Sequence, residues 1–232
     1  MLRYISFFAV ALLFNSCIVG VSGNGIVEEQ NRQTEEFQSV QASGMYEIHV
    51  VQDENYRLKV VADENLMDLI VTEVKGGVLH ISTRENIKKA KELDVYISAP
   101  YFDEFDLSGA VELDAKGVLE SEDLKIESSG AAQIELEIEV SNLELDLSGA
   151  SEVRLSGSAT RVRIASSGAS EMKLFDLETE QMQVNVSGAS DLEINVNEDL
   201  QIEASGASEI EYRGKALISR QNLSGASSVK QK

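Results

Sequence analysis

Hydrophobic and polar residues alternate along most of this chain, and the alternation predicts β-strands. Apolar side chains stand at every second position, for example at Leu145 and Leu147 and again at Val153 and Leu155. A period of two residues places successive side chains on opposite faces of a strand, whereas a helix repeats every 3.6 residues. We therefore expect an all-β protein.

The tripeptide Ser-Gly-Ala lies between these alternating segments and recurs seven times. The distance from one serine to the next is 18 to 21 residues, and the serines are Ser108, Ser129, Ser148, Ser167, Ser187, Ser205 and Ser224. A near-constant period of about 20 residues is typical of repeats that stack on one another, because one repeat cannot bury its apolar face alone. The pattern predicts a parallel β-helix, or β-solenoid, with coils of about 20 residues.

The tripeptide itself favours a structural role over a catalytic one. Glycine suits a bend or a close approach of two backbones, and the serine hydroxyls are expected to hydrogen-bond to the backbone at each corner. A nucleophilic serine needs a base within reach and a third group that orients the base. Seven equivalent serines do not fit that requirement, so we predict no catalytic residue.

One segment of the N-terminal third departs from the alternation. Leu66, Leu69, Ile70 and Val74 recur at helical spacing, and Asp63 could cap the start. The sequence therefore predicts one short helix over residues 64–74. Irregular coils around this helix are expected to cap one end of the repeats, since an open end would expose unpaired strand edges.

The N-terminus has the pattern of a targeting segment. Residues 1–16 combine Arg3 with a short apolar run, which predicts a signal peptide. Cys17, the only cysteine, follows directly and resembles the cysteine of a bacterial lipobox, although Phe14 and Asn15 depart from the lipobox pattern. The resemblance implies cleavage before Cys17, lipidation of that residue and membrane anchoring. The alternative is ordinary secretion with a free cysteine.

The domain organisation follows from these boundaries. We expect a lipidated cysteine and tether over residues 17–36 and one domain over residues 37–230. The chain carries 20 basic and 40 acidic residues, a net charge of −20, which makes nucleic acid an improbable partner. His49 and His80 are the only histidines. They are too few for a convergent zinc site or triad, so neither a metal nor a cofactor is expected.

An acidic column is predicted next to the tripeptides. In stacked repeats, carboxylates at equivalent positions lie about 4.8 Å apart and repel one another. Arg154 and Lys173 can neutralise their acidic neighbours, whereas the later positions have no matching partner. The column is either a solvated face or a weak site for Ca²⁺ or another cationic ligand. Its members are Glu152, Glu171, Asp191, Glu193, Glu209 and Glu211.

The order of these features resembles a known family. Gly23-Asn24-Gly25, the segment from Phe37 through Ser43-Gly44, the expected helix and the Ser-Gly-Ala repeats behind a lipobox are similar to the putative auto-transporter adhesin, head GIN domain family. The resemblance covers roughly residues 27–229. It implies a right-handed parallel β-helix, related in shape to pectin lyases and common in lipoproteins of Bacteroidetes. It also implies a role in adhesion or surface binding and no established catalytic residues.

Taken together, the sequence predicts an all-β, right-handed parallel β-helix with one short helix. The expected function is that of a non-enzymatic, lipid-anchored envelope protein, most consistent with the outer membrane, that binds a surface glycan or a protein ligand. Two alternatives stay open: a carbohydrate-active enzyme on a pectin-lyase-like scaffold, and a purely structural envelope protein. The oligomeric state and the side of the membrane that the protein faces stay open as well.

Overall fold

The structure, a computed structural model, describes residues 20–232 and contains 13 strands. The predicted signal peptide at residues 1–16 and the predicted lipidation site Cys17 lie outside the described residues. The strands are β1 (Val21–Ser22), β2 (Val27–Arg32), β3 (Ser39–Gln52), β4 (Arg57–Asp63), β5 (Ile70–Lys75), β6 (Val78–Thr83), β7 (Ile87–Lys89), β8 (Leu93–Ala99), β9 (Glu104–Leu147), β10 (Ala150–Ala204), β11 (Glu209–Arg213), β12 (Leu217–Leu223) and β13 (Ser228–Gln231).

Eleven of these strands form one large mixed sheet, and β1 and β7 form a separate pair. The main path runs β13-β11-β10-β9-β3-β8-β4-β2. Pairing is parallel from β8 through β3 to the C-terminus, but β2 with β4, β4 with β8, and β5 with β6 are antiparallel. The N-terminal third therefore contributes the antiparallel part of the sheet.

The repeat period sets the register of the two long strands. Residues of β10 pair with residues of β9 that lie 19 positions earlier, as Ala150 does with Ala131 and Ile164 with Leu145. Every second side chain turns inward, and Ile134, Leu145 and Ile164 are fully buried in one continuous apolar core. The alternation places apolar side chains on one face of each strand, and the shared register of successive repeats keeps these positions on the same face of the sheet.

The repeat glycines form a column across successive strands. A Cβ atom added to any of the seven would overlap the backbone carbonyl oxygen of the preceding member of the column. Glycine is therefore required by close backbone approach, whether or not its φ angle is positive. The column consists of Gly44 followed by Gly109, Gly130, Gly149, Gly168, Gly188, Gly206 and Gly225.

The prediction of a right-handed parallel β-helix, or solenoid, with one short helix is wrong. The structure is all-β, but it is a large mixed sheet with three antiparallel strand pairs. The physical reason is that a two-residue alternation specifies which face of a strand is buried and says nothing about the direction of its neighbour. The period fixed the parallel register of β9 and β10 and did not extend to the N-terminal third.

The expected helix at residues 64–74 is one short 3₁₀ turn, Glu64–Leu66, followed by a turn at residues 67–69 and then by β5. Leu66 and Ile70 are buried, so their helical spacing reflects two inward-facing residues on either side of a turn. Asp63 does not cap this turn. Its carboxylate instead accepts hydrogen bonds from the backbone N–H of Gly25 and, at 2.6 Å, from that of Lys91.

The segment predicted as a tether, residues 17–36, enters the sheet in its described part. Val21 pairs with Ile87, and the whole of β2 pairs with β4. Arg32 at the end of β2 donates to the backbone oxygens of Ile70 and Met67, at 2.8 and 3.0 Å. These contacts attach the segment to the sheet, and the domain boundary at residue 37 stays a prediction.

Candidate functional site

A polar groove runs across the long strands and is the first candidate binding site. It encloses about 400 Å³, and its floor is the strand backbone at Leu124, Leu143, Val162 and Met182, whose side chains are buried on the inner face of the sheet. Because strand residues alternate, the residues on either side of each floor position point outward and form two polar rows. The rows are Asp123, Asn142 and Arg161 on one side and Lys125, Glu144 and Arg163 on the other.

Hydrogen bonds between neighbouring strands order both rows. Asn142 donates from Nδ2 to Asp123 Oδ1 at 2.7 Å and accepts from Arg161 Nε at 2.8 Å. In the other row Arg163 lies 3.4 Å from Glu144. A hydrogen bond to Glu127, at 2.7 Å, raises the pKa of Lys125 above its ordinary value and keeps it charged. The groove therefore offers carboxylate, amide and cationic groups held in a fixed arrangement.

Four of the seven predicted corner serines, Ser129, Ser148, Ser167 and Ser187, line a second groove of about 540 Å³. The hydroxyls of Ser148 and Ser187 donate to the backbone oxygens of Ser128 and Ser166, at 3.3 and 3.4 Å. Ser108 makes the equivalent bond to the backbone oxygen of Ala42. The expected corner hydrogen bonds are thus present at these three serines.

The structure brings most of the predicted acidic column together. Five of its six residues line one groove of about 270 Å³. Asp191 and Glu193 pair in register with Glu209 and Glu211. Glu152 lies in a neighbouring groove that also contains Glu171.

The basic residues that pair with the acidic column are the predicted ones at some positions and different ones at others. Lys173 lies 2.6 Å from Glu171 and 3.8 Å from Glu152, and Arg154 pairs with Glu152. The expectation that Glu211 lacks a partner is wrong, because Lys232 and Lys230 lie 2.9 and 3.8 Å from it. A cation site in the column stays a prediction.

Sequence reasoning missed a cluster around one histidine. Among the described residues, Glu47, His49 and Asp94 each place one potential ligand atom within 4.8 Å of the other two. Only the spacing of Glu47 and His49, two residues apart on one strand face, was visible in the sequence. Asp94 comes from β8, and it lies beside them because β3 and β8 pair in parallel. That long-range register could not be predicted from alternation.

With the geometry described, comparison with known proteins identifies the family. The family model described as putative auto-transporter adhesin, head GIN domain, matches residues 36–216. The chain belongs to this family. The resemblance drawn from the Ser-Gly-Ala repeats is therefore confirmed, and the matched residues include both long strands and the polar groove.

Solved structures share the fold of this head GIN domain chain at low sequence identity. A putative adhesin from Bacteroides fragilis superimposes with a TM-score of 0.84 at 21% identity, over 92% of this chain and 100% of that one. A putative lipid binding protein from Parabacteroides distasonis gives 0.74 at 20% identity, over 91% and 99%. A putative adhesin from Parabacteroides merdae gives 0.64 at 17% identity, over 91% and 98%. No curated protein matches the chain.

The head GIN domain fold thus recurs although four of five residues differ. Over residues 20–232 the structure contains no helix long and apolar enough to cross a membrane.

Proposed function

We propose that this chain is a non-enzymatic, surface-exposed binding protein of the bacterial envelope, anchored through a lipid on Cys17, whose polar groove binds a surface glycan. The observation that carries the proposal is the groove across the long strands, with two polar rows that hydrogen bonds and ion pairs order. Concave sites with a small number of precisely placed polar groups are the usual places for ligand binding.

The chemistry of the groove suits a ligand rich in hydroxyl groups. Asn142 both donates and accepts, Asp123 accepts, and Arg161 donates, so one row provides both kinds of hydrogen bond. Since these side chains already bond to one another, they are ordered before a ligand arrives, which lowers the entropic cost of binding.

The charge of the groove differs from that of the whole chain. The chain has a net charge of −20. The groove nevertheless contains Lys125, Arg161 and Arg163 among its carboxylates. An acidic or neutral sugar can therefore approach these cations, whereas a long polyanion such as nucleic acid is repelled by the rest of the surface.

The relatives support an adhesive role. The family is described as a putative auto-transporter adhesin head, and the proteins of Bacteroides fragilis and Parabacteroides merdae are described as putative adhesins. A role without catalysis is supported by the repeat serines. The hydroxyls of Ser108, Ser148 and Ser187 each donate a hydrogen bond to a backbone oxygen of the neighbouring strand segment. A cell-surface or envelope location agrees with an adhesin-like family.

The proposal is tested by a glycan array probed with the full chain and two arginine variants. Arg161→Ala removes a member of the groove, while Arg154→Ala is the matched control, an arginine on the same strand paired with Glu152 outside the groove. We expect the wild-type chain to bind a glycan and Arg161→Ala to weaken that binding at least about tenfold, because one hydrogen bond to a charged group is worth roughly 1.5–3 kcal/mol. Arg154→Ala should bind as the wild type does.

Three outcomes would overturn the proposal. The first is an equal loss of binding in both variants. The second is the absence of any glycan binding, with capture of a defined surface protein instead. The third is turnover of an acidic polysaccharide by the purified chain, which would favour a carbohydrate-active enzyme.

A further inference from the structure

A row of side chains crosses four adjacent strands on the outer face of the N-terminal part of the sheet. Lys59 of β4 lies 4.2 Å from the ring centre of Tyr96 in β8. Tyr96 stacks on His49 of β3, with ring centres 4.5 Å apart and planes inclined by 28°. His49 in turn lies 2.6 Å from Asp114 of β9, measured from Nδ1 to Oδ1. The imidazole ring is thus held from both sides.

The contact with Asp114 determines which nitrogen of His49 is free. A carboxylate only accepts hydrogen bonds, so Nδ1 carries the hydrogen that it donates to Asp114. In the neutral ring Nε2 is then an acceptor, and it faces Asp94 Oδ2 at 4.0 Å. Two acceptors that face each other at this distance are too far apart for a hydrogen bond, and they repel unless a proton or a cation lies between them.

The separation fits a shared metal ion. Zinc binds imidazole nitrogen and carboxylate oxygen at about 2.0–2.2 Å in tetrahedral geometry, so two ligands of one ion lie roughly 3.3–3.6 Å apart. The 4.0 Å between His49 Nε2 and Asp94 Oδ2 exceeds this by a few tenths of an ångström, which a small side-chain rotation supplies. Glu47 stands opposite Asp94 in the register of β3 and β8. A carboxylate oxygen of Glu47 completes a set of three ligand atoms that lie within 4.8 Å of one another. Because the Glu47 side chain is exposed, it can rotate and bring this oxygen to the distance that a shared ion requires.

We propose that Glu47, His49 and Asp94 form a binding site for a divalent transition cation, with Zn²⁺ as the reference ion. Asp114 holds the imidazole in the orientation and tautomer that binding requires, as carboxylates do for metal-binding histidines in general. Three protein ligands leave one coordination position for water or for a ligand. Imidazole selects zinc, copper, nickel or iron over Ca²⁺, so this site is distinct in chemistry from the acidic column.

The site goes beyond the proposed glycan binding and does not depend on it. It lies on β3 and β8, whereas the polar groove is built from the C-terminal part of β9 and from β10. A cation bound here would also convert the repulsion between Glu47 and Asp94 into attraction, since like charges directly opposite one another destabilise a sheet. Binding should therefore raise the melting temperature.

The first test is isothermal titration calorimetry of the untagged full chain with zinc chloride. We expect one saturable Zn²⁺ site per chain, no comparable heat with calcium chloride, and a higher melting temperature with zinc. His49→Gln and Asp94→Asn should each abolish saturable binding. His80→Gln is the matched control, because His80 pairs with the neutral side chain of Gln41 at 2.8 Å and should leave binding unchanged.

The second test concerns Asp114 as a positioning residue. Asp114→Asn should weaken zinc binding about 10- to 100-fold and shift the tautomer of His49 in ¹⁵N NMR spectra, and Asp114→Glu should restore part of both. The proposal is wrong if the chain shows no saturable zinc binding, if His49→Gln binds as the wild type does, or if His80→Gln loses as much affinity as His49→Gln. Should His49→Gln not fold, Asp94→Asn and Glu47→Gln decide the same question.

Discussion

The carbonyl oxygen of Gly149 occupies the space that a side chain on Gly168 would need. The same oxygen accepts a hydrogen bond from the backbone N–H of Ala169 at 2.9 Å, so it cannot move aside without breaking a contact between strands. The φ angle of Gly168 is not positive, unlike that of Gly149. Glycine is therefore needed at position 168 for close approach and not for a left-handed backbone.

We predict that Gly168→Ala lowers the free energy of unfolding by about 3 kcal/mol, because the new Cβ overlaps backbone that cannot rotate away. Urea unfolding measures the change. Gly117→Ala is the matched control: φ is +89° there and no atom lies within 4 Å of an added Cβ. Strain alone should cost about 1–2 kcal/mol at that position. A Gly168→Ala variant as stable as the wild type would contradict the close-approach explanation.

The buried carboxylate of Asp63 provides a prediction about pH. Burial alone would raise its pKa, but hydrogen bonds from the backbone N–H groups of Lys91, Gly25 and Glu92 outweigh that effect and lower it. A carboxyl group whose pKa is lower in the folded protein stabilises the fold above its ordinary pKa of about 3.9. That contribution is lost as the pH falls through the lowered value.

Asp63→Asn should therefore lower the free energy of unfolding at pH 7 by about 2 kcal/mol, because the backbone N–H groups lose their hydrogen bonds to a carboxylate. The difference from the wild type should shrink as the pH falls below about 4. Urea unfolding at several pH values measures it, and Glu135→Gln, on an exposed strand position, should show little effect. A difference between Asp63→Asn and wild type that grows on acidification would refute the assignment.

The repeat serines are predicted to be structural. Replacing Ser148 or Ser187 by Ala removes one corner hydrogen bond and should cost about 1 kcal/mol each. Ser167→Ala should cost less, because the corner hydrogen bonds of the described residues involve Ser108, Ser148 and Ser187 and not Ser167. Glycan binding and any hydrolytic rate should be unaffected by each change. If the purified chain turns over an ester or a polysaccharide and one of these substitutions alone abolishes the rate, the non-enzymatic proposal is wrong.

Lipid anchoring at Cys17 is tested in cells. Cys17→Ala should move the protein from the membrane fraction to the soluble fraction, because the acyl chains provide the attachment. Mass spectrometry of the wild type should detect the lipid. An unchanged fractionation together with an unmodified cysteine would favour ordinary secretion.

The sequence by itself determined which residues are buried and how the long strands pair. The alternation of residues such as Leu145 and Leu147 identified strands and their inner face, because side chains alternate with a period of two. The repeat period determined the 19-residue register of β9 and β10. The recurrent glycine also marked the close approach now seen along the column. The acidic column was located as well, since it depends only on the same period.

Only the tertiary structure decided the rest. Alternation does not encode the direction of a neighbouring strand, so the antiparallel pairs of β2, β4 and β8 were not predictable. Leu66 and Ile70 have the spacing of one helical face, but a turn between two strands buries residues at the same spacing. His49 contacts Asp94 and Asp114, which belong to strands far from β3 in the sequence. Such contacts arise from long-range register, which no local pattern specifies.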